Sequence, residues 1–464
     1  MILDFSLEKI FRTVLGESGG FADLYYESSR SNSIVCDDNK IEQVISGTDS
    51  GVGLRAIANL KTSYAHSNRC SEADILSLAQ NLAAAVKGGA KAGIAETYAL
   101  ALHLNHRIGS PPDGIETARK VAMVREANAA ARDLDTRIRQ VKVVYGDKHQ
   151  TIQIANSTGL VVEEERTYVL LAVQVVAADK GLIQTGYEPV GGLIGFELFD
   201  GVDPAEVART AARRAVQALE AREAPSGVMP VVLSSEAGGT MIHEAVGHGL
   251  EADLALEGLS VYSNRIGETV ASKRITVIDD ATIPKRRGSY GYDDEGFPAQ
   301  KTLLIEKGVL KGYLCDRLYA MRFGLKSTGN GRRQSYKHPP IVRMSNTLIA
   351  PDKDDPDAIL RDTPNGVLVK KMGGGQVNTV NGDFVFEVSE GYMIRNGQVG
   401  DPIRGATLTG NGPKVLESID RVGNDLGFGI GTCGKDAQGV PIADAQPTLR
   451  IPEIVVGGTS GSRS

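Results

Sequence analysis

The C-terminal half of the chain alternates short apolar segments with glycine-containing turns, and this pattern constrains the fold more than any other. Glycine accounts for 54 of the 464 residues, well above the average usage of about 7%. Short apolar runs bounded by turn residues are typical of β-strands. Such runs lie at 274–279, 301–306, 366–371, 391–394 and 448–456. We therefore predict a mainly β domain over residues 226–464.

The first hundred residues combine a helical pattern with strand patterns. Leu7, Ile10 and Val14 recur at the spacing of one helical face. Strand-like runs follow at 23–28, 33–36, 40–46 and 51–58. Turn residues at 37–39 and 47–50 are expected to separate them. We predict a first α/β unit over residues 1–100.

Residues 101–225 repeat this combination and are predicted to form a second α/β unit. A helix is expected over about 115–131, and strands at 139–145, 150–156, 160–164 and 167–177. Asp203 followed by Pro204 marks the start of a closing helix, because aspartate is a preferred N-cap and proline suits the first helical position. The predicted class is α+β: two helix–sheet units, then a mainly β domain that carries a metal-binding helix.

Composition excludes several classes of protein. The formal net charge is −6 and no long basic run is present, whereas nucleic-acid binding needs a basic surface. No apolar run approaches the roughly 20 residues that span a membrane, and no signal peptide is visible. The four cysteines are far apart and form no disulfide framework. We therefore expect a cytoplasmic protein with no nucleic-acid partner and no membrane association.

The segment His243-Glu244-Ala245-Val246-Gly247-His248 is the strongest candidate for chemistry. In the familiar zinc helix two histidines lie four residues apart, with a glutamate after the first. A spacing of five would separate the two side chains by about 140° on a regular helix. One wide turn of the π type would realign them, and Gly247 is a suitable place for it. The alternative is a helix end with two solvated histidines.

Two histidines are too few for a catalytic zinc site, which normally has three protein ligands and one open position. Candidates for the third ligand are Glu251, Asp253, Glu257 or a distant residue. Cys433 is such a residue, flanked by glycines in Gly431-Thr432-Cys433-Gly434-Lys435, where Lys435 is expected to favour the thiolate. Equally, Cys433 could be a small buried apolar side chain.

Several separated segments, in the right order, resemble one known family over residues 230–456. Besides the histidine segment, they are Gly-Ser-Tyr-Gly-Tyr-Asp-Asp-Glu-Gly at 288–296, Thr-Gly-Asn-Gly-Arg-Arg at 328–333, Arg-Met-Ser-Asn-Thr at 343–347, Gly-Ala-Thr-Leu at 405–408, Thr-Cys-Gly-Lys at 432–435 and Gln-Pro-Thr at 446–448. The chain resembles the TldD branch of the TldD/PmbA peptidase family, also called modulators of DNA gyrase. The N-terminal half fits that family more loosely.

The resemblance implies a zinc metallopeptidase acting on unfolded or short peptides. It assigns the metal ligands to His243, His248 and Cys433, and the general base to Glu244. It also implies a dimer, either with a companion subunit of the TldE/PmbA type, which lacks the metal motif, or with a second copy. A ligand set that contains cysteine leaves iron(II) as a second candidate metal.

Two other functions remain open at this point. The first is a regulatory or binding protein without enzymatic activity, as the gyrase-modulator name suggests. The second is a zinc hydrolase similar to dipeptidyl peptidases of the third type, which use a His-Glu-x-x-Gly-His helix and a carboxylate as third ligand. A binding function would remain intact after removal of the metal ligands. Loss of zinc on replacement of Cys433 would favour the TldD-like enzyme over the dipeptidyl-peptidase-like one.

Some further features have both a functional and a structural interpretation. Arg332 and Arg333 could meet a substrate or form ion pairs inside the domain, and His338 is interpreted as structural. The acidic run at 293–295 is expected to be a surface turn. Gly373-Gly374-Gly375 lacks the Gly-Lys-Ser/Thr ending of a phosphate loop. The glycines of the predicted β segments are interpreted as residues of ordinary tight turns. The alternative is that exposed strand edges near the site take up an extended peptide.

Overall fold

Both predicted N-terminal units contribute strands to one seven-stranded sheet. The computed structural model describes residues 5–16, 20–86, 93–102 and 107–458. The strands are β1 (Phe21–Asp37), β2 (Lys40–Ala58), β3 (Lys61–Ser67), β4 (Ala99–Leu102), β5 (Ile138–Asn156), β6 (Leu160–Asp179) and β7 (Leu182–Leu193). Their order is β3-β2-β1-β5-β6-β4, with β7 paired to β6. The boundary expected near residue 100 lies beside residues 87–92 and 103–106, which are outside the described residues.

Helices cover one face of this sheet, and the C-terminal domain packs on the other. The helices are α1 (Leu7–Leu15), α2 (Glu72–Ala83), α3 (Thr117–Arg132), α4 (Leu198–Gly201) and α5 (Pro204–Glu220), with a 3-10 turn at Pro112–Gly114. Leu24 of β1 packs in the core that contains α1 and α2. Tyr25 packs with Tyr336 instead, because successive side chains of a strand point to opposite faces. The predicted start of α5 is confirmed, since the Asp203 carboxylate accepts a hydrogen bond from Ala205 N.

The predicted turn at 47–50 is wrong, because β1 and β2 are continuous. Gly47 lies within β2 and pairs with Ser31 of β1. The predicted break between 145 and 150 is likewise bridged by β5. Strand pairing explains both differences. β1 pairs with β2 on one side and with β5 on the other, so the polar residues in the middle of these strands have backbone partners, and this pairing overrides their local preference for turns. The turn at 37–39 is confirmed, with positive φ of 48° at Asp38 and 65° at Asn39, typical of a two-residue hairpin loop.

The C-terminal domain is mainly β, as predicted, and contains two larger sheets around one apolar core. Its strands are β8 (Arg222–Glu223), β9 (Gly227–Leu233), β10 (Val277–Asp280), β11 (Lys301–Glu306), β12 (Val309–Leu310), β13 (Gly331–Arg332), β14 (Ile341–Val342), β15 (Asn346–Ile349), β16 (Asn365–Val377), β17 (Asp383–Arg395), β18 (Gln398–Arg404), β19 (Thr407–Asn411), β20 (Arg421–Val422), β21 (Gly427–Lys435), β22 (Gln438–Gln446) and β23 (Leu449–Gly457). The six-stranded sheet has the order β12-β11-β10-β15-β22-β21, and the eight-stranded sheet β16-β9-β23-β19-β17-β18-β8, with β20 beside β23. β13 and β14 pair with each other.

Short helices connect these strands. They are α6 (Thr240–Ile242), α7 (Ala252–Ala255), α8 (Arg317–Phe323), α9 (Pro356–Arg361) and α10 (Gly412–Ser418), with a 3-10 turn at Ser235–Ala237. α6 continues into the histidine segment, so the helical part of the metal motif lies between the two larger sheets of the domain. Within the described ranges, no helix combines the length and the apolar character needed to cross a membrane.

Buried ion pairs join the N-terminal sheet to the C-terminal domain. The Arg55 guanidinium donates to Asp23 beside it on the sheet and, over 2.6 Å, to Glu295 of the C-terminal domain. Arg166 similarly donates over 2.8 Å to Asp294. The run at 293–295 is therefore buried, and its expected position in an acidic surface turn is wrong. Carboxylates can be buried here because each meets a cation or backbone N–H groups.

Replacement of Arg55 by methionine should lower the free energy of unfolding by about 3–5 kcal/mol, because Glu295 would lose its cation and Asp23 would be left with the more distant Arg333 guanidinium, 3.8 Å away. Urea denaturation followed by circular dichroism would measure the change. Arg361→Met is the matched control, since the Arg361 side chain is 64% exposed and its ion pair with Asp355 is at the surface. Such surface pairs contribute about 0–1 kcal/mol. Equal effects of the two substitutions would contradict a stabilising role for the buried cluster.

Candidate metal centre

The helix that carries the two histidines changes its pitch between them. α6 ends at Ile242, a π-helical turn spans His243–Gly247, and a 3-10 turn spans His248–Leu250. The predicted wide turn is thus confirmed, and it brings the two imidazole rings to a centroid distance of 5.1 Å. Gly247 has ordinary helical angles. The glycine leaves room for Met344, because a Cβ at this position would lie 2.0 Å from Met344 Sδ and would displace that side chain.

The start of this helix is anchored to the six-stranded sheet. Gly239 N donates a 3.0 Å hydrogen bond to the Asp444 carboxylate on β22. A Cβ on Gly239 would lie 2.3 Å from Ala445 N, so the helix start lies directly against β22. Since β22 pairs along its length with β21, this contact sets the histidines opposite the strand that contains Cys433.

The β21–β22 hairpin places the Cys433 thiol between the two histidines. Cys433 Sγ lies 3.3 Å from His243 Nε2 and 3.4 Å from His248 Nε2. These three atoms all lie within 4.8 Å of one another. The buried Arg343 guanidinium donates to the carbonyls of Cys433 and Gln438, which supports the hairpin from behind. The structure therefore brings together three residues that are up to 190 positions apart in sequence.

The three donor atoms fit a tetrahedral metal ion. Zinc–nitrogen and zinc–sulfur bonds of about 2.0–2.1 and 2.3 Å would separate the ligand nitrogen and sulfur atoms by about 3.6 Å in a tetrahedron. The observed separations of 3.3 and 3.4 Å are close to that value. Cysteine sulfur and imidazole nitrogen are also the ligand atoms that zinc prefers. His243, His248 and Cys433 could therefore hold a metal ion, with one position left open.

Cys433 differs from the other cysteines in its electrostatic environment. Burial favours the neutral thiol, but hydrogen bonds from His243 and His248 outweigh it and lower the pKa of Cys433 to about 5. Burial raises the pKa of Cys36, Cys70 and Cys315. The histidines, rather than Lys435 as expected, therefore stabilise the thiolate. A thiolate is the form of cysteine that binds metals.

Lys435 instead belongs to a charged group that orients His248. Glu251 Oε2 lies 2.9 Å from His248 Nδ1 and accepts a hydrogen bond of 2.9 Å from Lys435 Nζ. Burial opposes ionisation of Glu251, but His248 and Lys435 together lower its pKa to about 2. A carboxylate on Nδ1 directs the lone pair of Nε2 toward the candidate metal position.

The carboxylates proposed as alternative third ligands lie in other environments. Glu251 faces the far nitrogen of His248, Asp253 pairs with Lys435, and Glu257 pairs with Arg322. Glu251 was predicted only as a possible ligand, although its position three residues after His248 is also suitable for a hydrogen bond to that ring. Asp444, which anchors the helix start, had no local signal in the sequence.

A cleft of about 780 Å³ opens beside the three donor residues. Strand β7 of the N-terminal sheet and strands β16 and β21 of the C-terminal domain contribute to its walls. Glu244 is half-buried and lines the same cleft as His243, His248 and Cys433. All four predicted site residues therefore face one space that is large enough for a peptide segment.

The remaining candidates of the sequence analysis take structural positions. Arg332 donates to the carbonyls of Met344 and Pro441, and Arg333 donates to the Asp294 carbonyl. His338 Nδ1 lies 3.1 Å from Ser335 Oγ. The glycine run at 373–375 lies within β16, and Gly373 and Gly374 line the cleft.

Family models and curated relatives of one family match this chain over most of its length. The description PmbA/TldA metallopeptidase applies to all three matching family domains: domain 1 at residues 22–87, the central domain at 110–219 and the C-terminal domain at 226–458. A metalloprotease TldD homolog from Haemophilus influenzae is 36% identical, over 98% of this chain and 96% of that protein. A metalloprotease from Methanothermobacter thermautotrophicus is 37% identical, over 95% of this chain and 96% of its own.

Solved structures show the same fold at lower sequence identity. A putative modulator of DNA gyrase from Thermotoga maritima superposes with a TM-score of 0.80 at 21% identity, covering 97% of this chain and all of that one. TldE from Thermococcus kodakarensis has a TM-score of 0.75 at 17% identity, with coverage of 97% and 100%. The names of the sequence relatives imply a metal cofactor, and the histidine–cysteine cluster is a candidate for its site. The chain belongs to the TldD/PmbA family of metallopeptidases.

Proposed function

We propose that this protein is a zinc peptidase that hydrolyses short or unfolded peptides. The observation that carries the proposal is the convergence of His243, His248 and Cys433 in one cleft with Glu244. Three protein donors with one open position are the arrangement of catalytic zinc sites. A glutamate next to a ligand has no purpose in a closed structural site, whereas hydrolysis requires a base beside the reacting water.

Each residue of the site has a separate role in the proposed reaction. A zinc ion held by His243, His248 and Cys433 would polarise the scissile carbonyl and make water more acidic. Glu244 accepts the proton of the attacking water on a carboxylate oxygen and passes it to the nitrogen of the leaving amine. The Glu251 carboxylate accepts the Nδ1 proton of His248 and so keeps that ring in one tautomer.

The position of β21 in the sheet supports the proposed preference for unfolded peptides. β21 pairs with β22 on one side, and within the described ranges no strand pairs with its other edge. Residues 428–434 of this strand line the cleft. An extended peptide can add to such an edge through main-chain hydrogen bonds. A folded protein has no free strand to present there.

The proposed setting is the cytoplasm, as an assembly with a companion subunit of the TldE/PmbA type or with a second copy of this chain. TldE from Thermococcus kodakarensis has the same fold, which supports a pairing of similar subunits. Widely spaced, unpaired cysteines support a reducing compartment.

Purified protein should contain about one zinc ion per chain, and both Cys433→Ala and His243→Ala should lose it, because each removes one of three protein ligands. Elemental mass spectrometry would measure the metal, and would also identify iron if that ion were bound. Cys70→Ala is the control, since Cys70 packs against the core that contains α1 and α2 and its thiol donates to Asn68 O. Zinc retained by Cys433→Ala would support a carboxylate as third ligand and a site like that of the dipeptidyl peptidases.

Substitution of Glu244 by glutamine should leave zinc content unchanged and reduce kcat for peptide hydrolysis by about 10²–10⁴-fold, because an amide cannot accept the proton of water. Cleavage of a mixture of unstructured peptides, followed by mass spectrometry, would measure the loss. Glu236→Gln is a matched control, since Glu236 pairs with Lys370 at the surface. Hydrolysis by Glu244→Gln at the unaltered rate would refute the proposed base. A zinc-loaded protein inactive on every peptide would favour a binding function.

Glu251→Gln should weaken zinc affinity by about 10–100-fold, because the carboxylate that orients a metal-binding histidine contributes to affinity by this amount. Competition with a chromophoric chelator would give the dissociation constants. Glu257→Gln provides the comparison, since that carboxylate pairs with Arg322. An unchanged affinity in Glu251→Gln would show that His248 needs no such partner.

A further inference from the structure

One cation in the cleft, Arg286, forms no ion pair with any residue that the structure describes. The guanidinium of Arg286 lies over the ring of Phe428, 3.6 Å from its centroid, and lines the cleft that contains Glu244 and the three donor residues. The stacking holds the charge in place, because a guanidinium prefers the face of an aromatic ring. The aromatic partner is on β21, the same strand as Cys433.

Other cations of the cleft are neutralised by glutamates. Arg214 pairs with Glu188 and, over 2.6 Å, with Glu390. Lys371 lies 3.8 Å from Glu188. By contrast, no carboxylate of the described ranges forms an ion pair with Arg286, and burial alone lowers its pKa from the usual value. A partly desolvated charge without a counter-ion is unfavourable, so an anion bound in the cleft would be stabilised there.

We propose that Arg286 is a specificity-determining residue that binds a carboxylate of the peptide substrate. This inference rests on the proposed peptidase function and specifies the class of peptide, namely one with a carboxylate at a defined distance from the cleaved bond. A guanidinium suits this role, because it can donate two parallel hydrogen bonds to one carboxylate.

The strand sets the distance between the two parts of the site. Phe428 and Cys433 are five residues apart on β21, which corresponds to about 17 Å along the strand at roughly 3.3 Å per residue, and this odd spacing directs their side chains to opposite faces of the strand. A peptide extended along this strand has the same rise per residue. On a peptide added to the edge of β21, a carboxylate level with Phe428 would be about five residues from the bond level with Cys433. This carboxylate can belong either to an Asp or Glu side chain or to the C-terminus of a short peptide.

Three peptides of one sequence distinguish these sources. All are acetylated and carry a fluorophore; one is neutral and amidated, the second is amidated with a single Glu, and the third is neutral with a free C-terminal carboxylate. Fluorescence anisotropy with zinc-loaded Glu244→Gln protein gives their dissociation constants without turnover. A second series moves the Glu along the sequence, and mass spectrometry of the products of the unaltered enzyme locates the cleaved bond.

The variants separate charge from packing. Arg286→Met removes the charge and keeps an apolar side chain against Phe428, and Arg286→Lys keeps the charge. Arg209→Met is the control for a loss of one positive charge elsewhere, since Arg209 lies on the outer face of α5 beside Glu206. Zinc content and circular dichroism of each variant establish that the fold and the metal site are intact.

We expect at least one carboxylate peptide to bind about tenfold or more tightly than the neutral one, as for hydrogen bonds between charged groups. Arg286→Met should abolish this preference, Arg286→Lys should keep part of it, and Arg209→Met should keep all of it. The peptide that shows the preference identifies the source of the carboxylate. The cleavage assay should show the same change in KM, with the best Glu about five residues from the cleaved bond.

Equal binding of the three peptides, or a preference that survives in Arg286→Met, would overturn the inference. If those peptides are nevertheless cleaved, the peptidase function stands and only the role of Arg286 fails. If the unaltered protein cleaves no peptide but Arg286 still selects carboxylates in the binding assay, the peptidase function fails and the selectivity stands. The two failures are therefore distinguishable.

Discussion

The buried ion pairs between the N-terminal sheet and the C-terminal domain are the contacts on which the cleft depends. Arg55 and Arg166 of the sheet meet Glu295 and Asp294 of the domain. These contacts hold the two halves face to face, so that β7 from one and β21 from the other line the same cleft. Buried pairs are sensitive to geometry, because a displaced partner leaves an unpaired charge. They therefore favour one relative arrangement of the two halves.

Within the C-terminal domain, the metal centre depends on a second constraint, the five-residue spacing of the histidines. The π turn allows both Nε2 atoms to approach Cys433 Sγ, while Gly247 lets Met344 pack against the turn. The Asp444 carboxylate then connects the start of the helix to the hairpin that carries the cysteine. Local helix geometry and strand pairing thus have to agree for the three donors to meet, which explains why the centre lies at the junction of a helix and a sheet edge.

Charges inside the protein fall into two classes. Buried carboxylates of the described residues have a cation or backbone donors: Glu251 has Lys435, Asp294 has Arg166, and Asp147 has Lys120. Their interactions orient side chains and leave little net charge. Arg286 lacks such a partner among the described residues, although the whole chain has a formal charge of −6. The overall charge therefore does not report the local potential in the cleft.

The sequence by itself determined the α+β class, the histidine segment and the need for a wide turn, because these depend on local periodicity and helix geometry. Cys433 was identified by resemblance, since residue spacing alone left it as one candidate among several. Tertiary structure decided that 47–50 continues a strand and that 293–295 is buried. It also decided that Lys435 bonds Glu251. The physical reason is common to all three: strand pairing and ion pairs between distant residues satisfy polar groups in ways that no local pattern records.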